Sequence, residues 1–336
     1  MHIYLPDLAR RPAPRYTSYP TALEFSDTVG GEAQAEALAA VPDGAPVSLY
    51  LHIPYCRDIC WYCGCNTGAI GRPERLHLYV DALEAEMATV APLLRGRVER
   101  VHFGGGSPNA LPPALFARVC ASIARHFKMA DRESVEWAAE LDPRLLDANY
   151  AETLAASGID RVSLGVQCFS PEIQEQIGRI QPFDMVARRV GELRGAGIRH
   201  INLDLMYGLP GQGLDDIDDT ATRALSLHPD RIAMFGYAHL PSLLPRQRMI
   251  ASLILPDAEQ RFVQSALAHD LLVEAGYQAI GFDHFALPDD SLALAAREGR
   301  LRRNFQGFTD DQADILVGLG ASAISQFPGL IVQNEK

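Results

Sequence analysis

Lysine is almost missing from this sequence: among 30 basic residues, only Lys128 and Lys336 are lysine. A site that clamps a carboxylate must therefore use arginine, whose planar fork holds it through paired hydrogen bonds. No apolar run approaches the ~20 residues that span a bilayer, which excludes a helical membrane anchor and a membrane partner. The opening Met1-His-Ile-Tyr-Leu-Pro6 has no basic stretch leading into a long apolar core, so no secretory leader is expected. No low-complexity linker interrupts the chain. Positive charge is in deficit, with a formal net charge of −12. Nucleic acid is thereby excluded as a general partner, because phosphate backbones require a basic face. An anionic small molecule is not excluded, since a local group of arginines dominates within a Debye length. With 336 residues, 48% of them apolar, the chain can bury one large core with appendages.

Cysteine is scarce as well, but its distribution is uneven. Four of the six cysteines fall in one run, Cys56-Arg-Asp-Ile-Cys60-Trp-Tyr-Cys63-Gly-Cys65, directly after the apolar Val47-Ser-Leu-Tyr-Leu-His-Ile-Pro54. Thiolates packed this closely are metal or cluster ligands, because one loop can turn several of them toward one centre. The first three, at C-x3-C-x2-C, suit a 4Fe–4S cluster with one iron left open. The alternatives are a zinc site, a redox pair and structural thiols. Structural zinc needs four closed ligands, and no second pair follows, since Cys120 and Cys168 are isolated. A Cys60-x-x-Cys63 redox pair leaves Cys56 and Cys65 unexplained. Free thiols and an oxygen-sensitive cluster both point to a reducing cytosol, so a cytoplasmic location is expected.

From residue 47 onward, β-rich runs alternate with amphipathic stretches. Strands are predicted at 47–53, 100–103, 135–141, 161–166, 201–207, 231–237 and 277–282. Leu76, Val80, Leu83, Met87 and Val90 recur at helical spacing, as do Phe183, Val186, Val190 and Leu193. Ala156-Ser-Gly158, Ala196-Gly197 and Ala275-Gly276 read as helices stopped by glycine before a strand. Such alternation implies parallel pairing through right-handed crossovers. The expected fold is α/β, a partial (βα)6 barrel over residues 46–336, preceded by an arm with a short helix near 32–40 over residues 1–45. The proline-rich segment 10–20 should be extended. The segment Gly318-Leu-Gly320-Ala-Ser-Ala-Ile324-Ser is predicted as a glycine-rich loop.

In barrels of this kind the chemistry sits at the C-terminal strand ends. The predicted ends carry the cysteine loop, Gly104-Gly-Gly-Ser107-Pro108, Glu140-Leu-Asp142-Pro143, Gln167, Asp204 with Tyr207-Gly-Leu-Pro210, and Ala238-His239. That clustering of polar and glycine-rich sequence is hard to explain as packing.

These motifs carry a resemblance. The cysteine loop resembles that of radical SAM enzymes. With Leu49-Tyr-Leu-His-Ile-Pro-Tyr55 before it and Arg15-Tyr-Thr-Ser-Tyr-Pro-Thr-Ala-Leu-Glu-Phe25 upstream, it resembles the oxygen-independent coproporphyrinogen III oxidase family. Phe103–Pro108, Gly165-Val-Gln-Cys-Phe169, Asp204–Pro210, Tyr237-Ala-His-Leu-Pro241 and Arg303-Asn-Phe-Gln-Gly307 extend the match over almost the whole chain. The resemblance implies a cluster that holds S-adenosylmethionine (SAM) on its open iron and cleaves it to a radical. Two propionates of coproporphyrinogen III would be decarboxylated to vinyl groups, giving protoporphyrinogen IX for haem synthesis. An electron donor is also implied, its identity left open, and a monomer is expected.

By the same resemblance Cys56, Cys60 and Cys63 are the cluster ligands. Tyr50, Tyr62, Gly105, Glu140 and Ile324 match positions that touch the SAM on the cluster. Gly106, Ser107, Gln167, Arg179, Asp204 and Ala238 match a second SAM site, so two SAM molecules are implied. No residue is assigned as a catalytic acid or base, and Cys65 marks the family without being a ligand. Taken singly, Gly104–Gly106 is a tight turn, Glu140 and Asp204 are candidate helix caps, and Arg179 is a candidate solvated helix residue. Substrate carboxylates could be met by Arg10, Arg11, Arg15, Arg302 or Arg303.

The pattern departs from the family in two ways. Cys168 and Gly236 stand where an acid and an amide are expected. Family members continue into a helical C-terminal domain, whereas this sequence stops at Gln333-Asn-Glu-Lys336, so that domain is expected to be absent. The rival function is a non-catalytic relative that binds and delivers haem on the same fold.

Overall fold

Seven of the eight residues of the first apolar run, Pro46–Ile53 (β1), are buried, as expected for a strand covered on both faces. Arg97–Gly105 (β2), Glu136–Leu141 (β3), Arg161–Gln167 (β4), His200–Tyr207 (β5) and Arg231–Gly236 (β6) follow in order. Each pairs in parallel with its predecessor. This is a computed structural model, and it describes residues 2–9, 24–131 and 134–336.

The crossovers are helices whose apolar faces match the spacing in the sequence. Glu74–Val90 buries Leu76, Val80, Leu83, Met87 and Val90. Phe183–Gly195 buries Val186, Val190 and Leu193. The predicted stops are left-handed glycines, with φ of +94° at Gly158, +99° at Gly197 and +93° at Gly276. Only glycine takes that conformation without penalty, so each ends its helix cleanly before the next strand.

Two predicted elements differ. The last strand is short, Gln278–Ile280 (β7), and it is antiparallel to His284–Ala286 (β8), which pairs antiparallel with β6. A hairpin therefore closes the series where a further parallel unit was expected. The supposed glycine-rich loop begins inside a strand: Ile315–Leu319 (β11) is wholly buried and lies parallel to β1 on its free side. Glycines in the sequence concealed it. A side chain on Gly318 would meet the Ile324 backbone oxygen at 2.4 Å, so glycine is what lets Ile324–Phe327 (β12) fold back against β11. Leu330–Gln333 (β13) completes that edge. The sheet order is β13-β12-β11-β1-β2-β3-β4-β5-β6-β8-β7, an open barrel built on the six successive parallel strands β1 to β6 with β11 as a seventh beside β1. A separate hairpin, Arg302–Asn304 (β9) with Gly307–Thr309 (β10), lies outside this sheet.

The short N-terminal helix forms at Gly31–Ala39. Residues 2–9 pack on the helix Ala258–Glu274, where His2 Nε2 donates to Asp270 at 2.8 Å and the Tyr4 ring lies tilted against Phe262. The proline-rich arm, with Arg10, Arg11 and Arg15, lies outside the described residues. No helix among the described residues is long and apolar enough to cross a membrane.

Candidate functional site

The cysteine loop leaves the C-terminal end of β1. A parallel pairing of Tyr55–Cys56 with Gly68–Ala69 ties its base. From one side Trp61 N–H donates to the Ile177 carbonyl at 3.0 Å. From the other, Gln247 Nε2 donates to the Tyr62 carbonyl at 2.9 Å and Arg246 Nη2 to the Thr67 carbonyl at 3.2 Å. Beneath it runs the glycine triplet at the end of β2. A Cβ on Gly106 would lie 2.5 Å from Thr67 Oγ1 and 2.6 Å from the Tyr55 carbonyl. One on Gly105, where φ is +105°, would strike the His52 ring at 2.7 Å. The glycines therefore serve the seating of the loop, in addition to any approach of a ligand.

Each thiol has a distinct partner. Cys56 Sγ meets Thr67 Oγ1 at 3.2 Å. Cys60 Sγ accepts from Arg179 Nη1 at 3.2 Å and Arg144 Nη2 at 3.6 Å. Cys63 Sγ accepts from the Cys65 backbone N–H at 3.3 Å. Hydrogen bonds from Cys65 bring the Cys63 thiol down despite its burial, toward the ionised form that binds metal. Burial pushes Cys56 up to about 11. The hydrogen bond and negative charge of Cys63 push Cys65 up. Cys120 and Cys168 are buried away from the loop, each raised to about 12 by burial.

All four loop thiols line one cavity of about 490 Å³ at the C-terminal strand ends. It also brings together Tyr62, Gly105, Gly106, Ser107, Glu140, Gln167, Arg179, Asp204 and Ala238. Tyr50 and Ile324 are not among its lining residues. Tyr50 is buried beside it, its hydroxyl 3.0 Å from His52 Nδ1 and its ring edge-on to Phe305. Ile324 lies on β12, half-buried. Arg302 and Arg303 face elsewhere: Arg302 pairs with Asp314 at 2.6 Å, and Arg303 stacks on Phe282 and Phe308.

Neither acid is a helix cap. Glu140 Oε1 is 3.0 Å from His102 Nε2. Asp204 accepts from Ser163 Oγ and Asn202 Nδ2, each at 2.7 Å. Burial, with the charge of Glu140 adding, raises the Asp204 carboxyl to about 6 even though the Ser163 and Asn202 hydrogen bonds oppose it. Arg179 is not a solvated helix residue; it is 7% exposed. Its Nε donates to Gln181 at 3.0 Å and its Nη2 to the Gly165 carbonyl at 2.6 Å. Gln167, at the strand end, takes φ of +68° across a register shift, a conformation uncommon outside glycine.

The donor set fits an iron–sulfur cluster. Three thiols at C-x3-C-x2-C share one half-enclosed cavity lined by no histidine, and the fourth thiol there, Cys65, is pushed up by Cys63, away from the ionised form that binds zinc. Glu140, Asp204 and the strand-end backbone beside them supply acceptors for an ammonium or ribose hydroxyls.

Two residues, buried Asp142 and half-buried Arg144, escaped the sequence reading as site members. Asp142 and Arg144 form an ion pair of 2.6 Å against the cavity wall. The signal was Asp142-Pro-Arg144 directly after a polar strand end, where proline starts a turn that folds the arginine back onto the acid.

A family model described as the radical SAM superfamily matches residues 50–224. The chain is 48% identical over 324 residues to an oxygen-independent coproporphyrinogen III oxidase of Bradyrhizobium diazoefficiens, covering 96% of this chain and 72% of that protein. The protein of that name in Escherichia coli K12 is 42% identical over 326 residues, with 96% and 70% covered. The solved structure of Escherichia coli coproporphyrinogen III oxidase (HemN), described as a radical SAM enzyme, superposes with a TM-score of 0.90 at 40% identity. It covers 96% of this chain and 74% of that one.

Proposed function

The chain belongs to the radical SAM superfamily and, within it, to the oxygen-independent coproporphyrinogen III oxidases, and we propose that it performs that family's reaction. Two propionate side chains of coproporphyrinogen III are oxidatively decarboxylated to vinyl groups, giving protoporphyrinogen IX in anaerobic haem synthesis. The observation that carries this reading is the convergence of Cys56, Cys60 and Cys63 with Glu140, Arg179 and Asp204 on one cavity. When bound, a 4Fe–4S cluster and SAM supply the one-electron chemistry that initiates hydrogen abstraction from a propionate.

The chain's own residues hold, orient and enclose. Cys56, Cys60 and Cys63 would hold the cluster, and the hydrogen bonds from Cys65 favour the ionised form of Cys63 for the task. Glu140, together with Tyr50, Tyr62, the Gly105 backbone and Ile324, would receive the first SAM. Gly106, Ser107, Gln167, Asp204 and Ala238 form the place for a second SAM. Arg179 would have to release one of its present partners to pair that molecule's carboxylate. Leu240, Leu244, Met206 and Tyr237 make the outer wall apolar, which keeps water from the reacting centre. The electron comes from an unidentified donor, and we place the enzyme in the cytoplasm as a monomer, with residues 1–45 an arm on the barrel.

The test is anaerobic incubation of the reconstituted chain with SAM, a low-potential reductant and coproporphyrinogen III. The expected products are 5′-deoxyadenosine and the divinyl tetrapyrrole. SAM cleavage without vinyl product refutes the substrate. Stoichiometric haem binding with no SAM cleavage refutes the enzyme and favours haem delivery.

A further inference from the structure

Among the cysteines of the loop, Cys60 alone accepts hydrogen bonds from guanidinium groups. Cys56 meets a hydroxyl and Cys63 a backbone amide, both neutral. Cys60, 6% exposed, accepts from Arg179 at 3.2 Å and Arg144 at 3.6 Å. Asp142 lies between the two arginines. Its carboxylate takes Arg144 Nε at 3.0 Å and Nη2 at 2.6 Å, and Arg179 Nη2 lies 3.4 Å away. The side chains of Arg144, Asp142 and Arg179 are 11%, 10% and 8% exposed.

Two guanidinium groups against one carboxylate leave one positive charge facing the thiol. A buried charge requires a partner, and the Cys60 sulfur, negative once it ligates a cluster, is the group placed to balance it. The group is also pinned from behind. The Asp142 N–H donates to Asn109 Oδ1 at 3.0 Å, and its carbonyl accepts from Asn109 Nδ2 at 2.8 Å. Ser107 Oγ donates to the same Asn109 Oδ1 at 3.1 Å. The turn after β3 is thereby tied to the glycine turn under the cysteine loop.

We propose that Asp142, Arg144 and Arg179 form a positioning device that holds the Cys60 thiolate and sets the reduction potential of the bound cluster. The proposal rests on the reading of Cys60 as a cluster ligand. Hydrogen bonds and positive charge at a ligand sulfur stabilise the reduced, more negative cluster and raise its potential. The device gives one corner of the cluster two guanidinium donors that the other two corners lack.

The two polar partners must then act with opposite signs. In anaerobically reconstituted enzyme, Arg144→Met removes a donor and a positive charge, so the midpoint potential followed by electron paramagnetic resonance should fall. Arg144→Lys, keeping the charge, should recover most of the difference. Asp142→Asn removes a negative charge, so the potential should rise. Iron and acid-labile sulfide per chain show that the cluster is present in each variant. If Arg144→Met reconstitutes poorly, Arg144→Gln, which keeps a donor and loses the charge, must still lower the potential. Unchanged potentials with full clusters, or shifts of the same sign for Arg144→Met and Asp142→Asn, would overturn the proposal and identify a plain strand-end ion pair. A full cluster in Cys60→Ser overturns the ligand reading instead, so the two failures are separable.

Discussion

The barrel encloses two polar chambers that share a wall of Glu140, Ser163, Asp204 and Phe235, and they are built on opposite principles. The lower chamber, about 360 Å³, is held by its own ion pairs, although Arg161 Nε, Gln306 Nε2 and Asp310 Oδ2 find no hydrogen-bond partner there. Arg100 pairs with Asp310 at 2.5 Å, and Asp290 receives Arg231 at 2.7 Å and Arg161 at 3.4 Å. Ser48 donates to Asp311, and residues of the β9–β10 hairpin complete the lining. The upper chamber instead collects thiols, strand-end backbone and two acids whose chemistry calls for something not made of protein. Polar groups that neutralise one another stabilise a fold, whereas polar groups left for a ligand cost stability and do chemistry. On this contrast, substitutions above should change activity and cluster content, and substitutions below should change stability.

The largest effect belongs to the cluster ligands. Cys60→Ser should lose the brown cluster absorbance and reduce turnover to background, as measured by iron content and vinyl product. Retention of a full 4Fe–4S spectrum would end the assignment. Next is Gly106→Ala, whose methyl group has no room beneath Tyr55 and Thr67. It should displace the loop and cut cluster occupancy severalfold while the helical signal in circular dichroism stays unchanged.

Below the wall, Asp310→Asn should leave cluster content intact and cost about 3 kcal/mol in urea unfolding, the scale for breaking a buried ion pair. Burial pushes the Asp310 carboxyl up, but Arg100, Ser291 and Arg231 outweigh it and bring it down to about 2. An acid lowered on folding contributes stability that is present above its unfolded value near 3.8. That contribution, about 2 kcal/mol, is lost as pH falls toward about 2. Acid unfolding of the variant should therefore begin from a lower plateau and lack this component. A variant within about 0.5 kcal/mol of the parent would break the contrast between the chambers.

Much of this was legible from residue order. The six parallel strands, the helix faces at Leu76–Val90 and the glycine stops at 158, 197 and 276 all follow from local period and backbone freedom. The strand-end motifs were legible for the same reason, since parallel topology carries every such end to one face. What escaped was set by long-range pairing. Ile315–Leu319 looked like a loop because its glycines answer to Ile324 across a turn, and β7 reversed because β8 pairs between it and β6. The link from Asp142 and Arg144 to Cys60 joins segments 80 or more residues apart, and no local pattern encodes it. The lower ion pairs are equally silent, because arginines and acids at strand starts read as ordinary solvated charge.

The smallest predicted effect is the most diagnostic, because Asp204 stands in the shared wall. Its carboxyl is raised to about 6, chiefly by burial. For an acid raised on folding, the linkage runs opposite to that of Asp310. The folded state holds the proton more tightly, so stability declines as pH climbs from near 3.8 to about 6 and stays reduced above that. Asp204→Asn removes that penalty but gives up part of the bonding to Ser163 and Asn202. Net, the variant should be about 1 kcal/mol more stable than the parent near pH 8 and no more stable near pH 4.5, read by urea unfolding at both values. SAM binding, followed by equilibrium dialysis of the cluster-loaded enzyme, should weaken at the same time. A variant that loses stability at pH 8 would place Asp204 with the ion-paired acids of the lower chamber, and its carboxylate would then be a part of the scaffold.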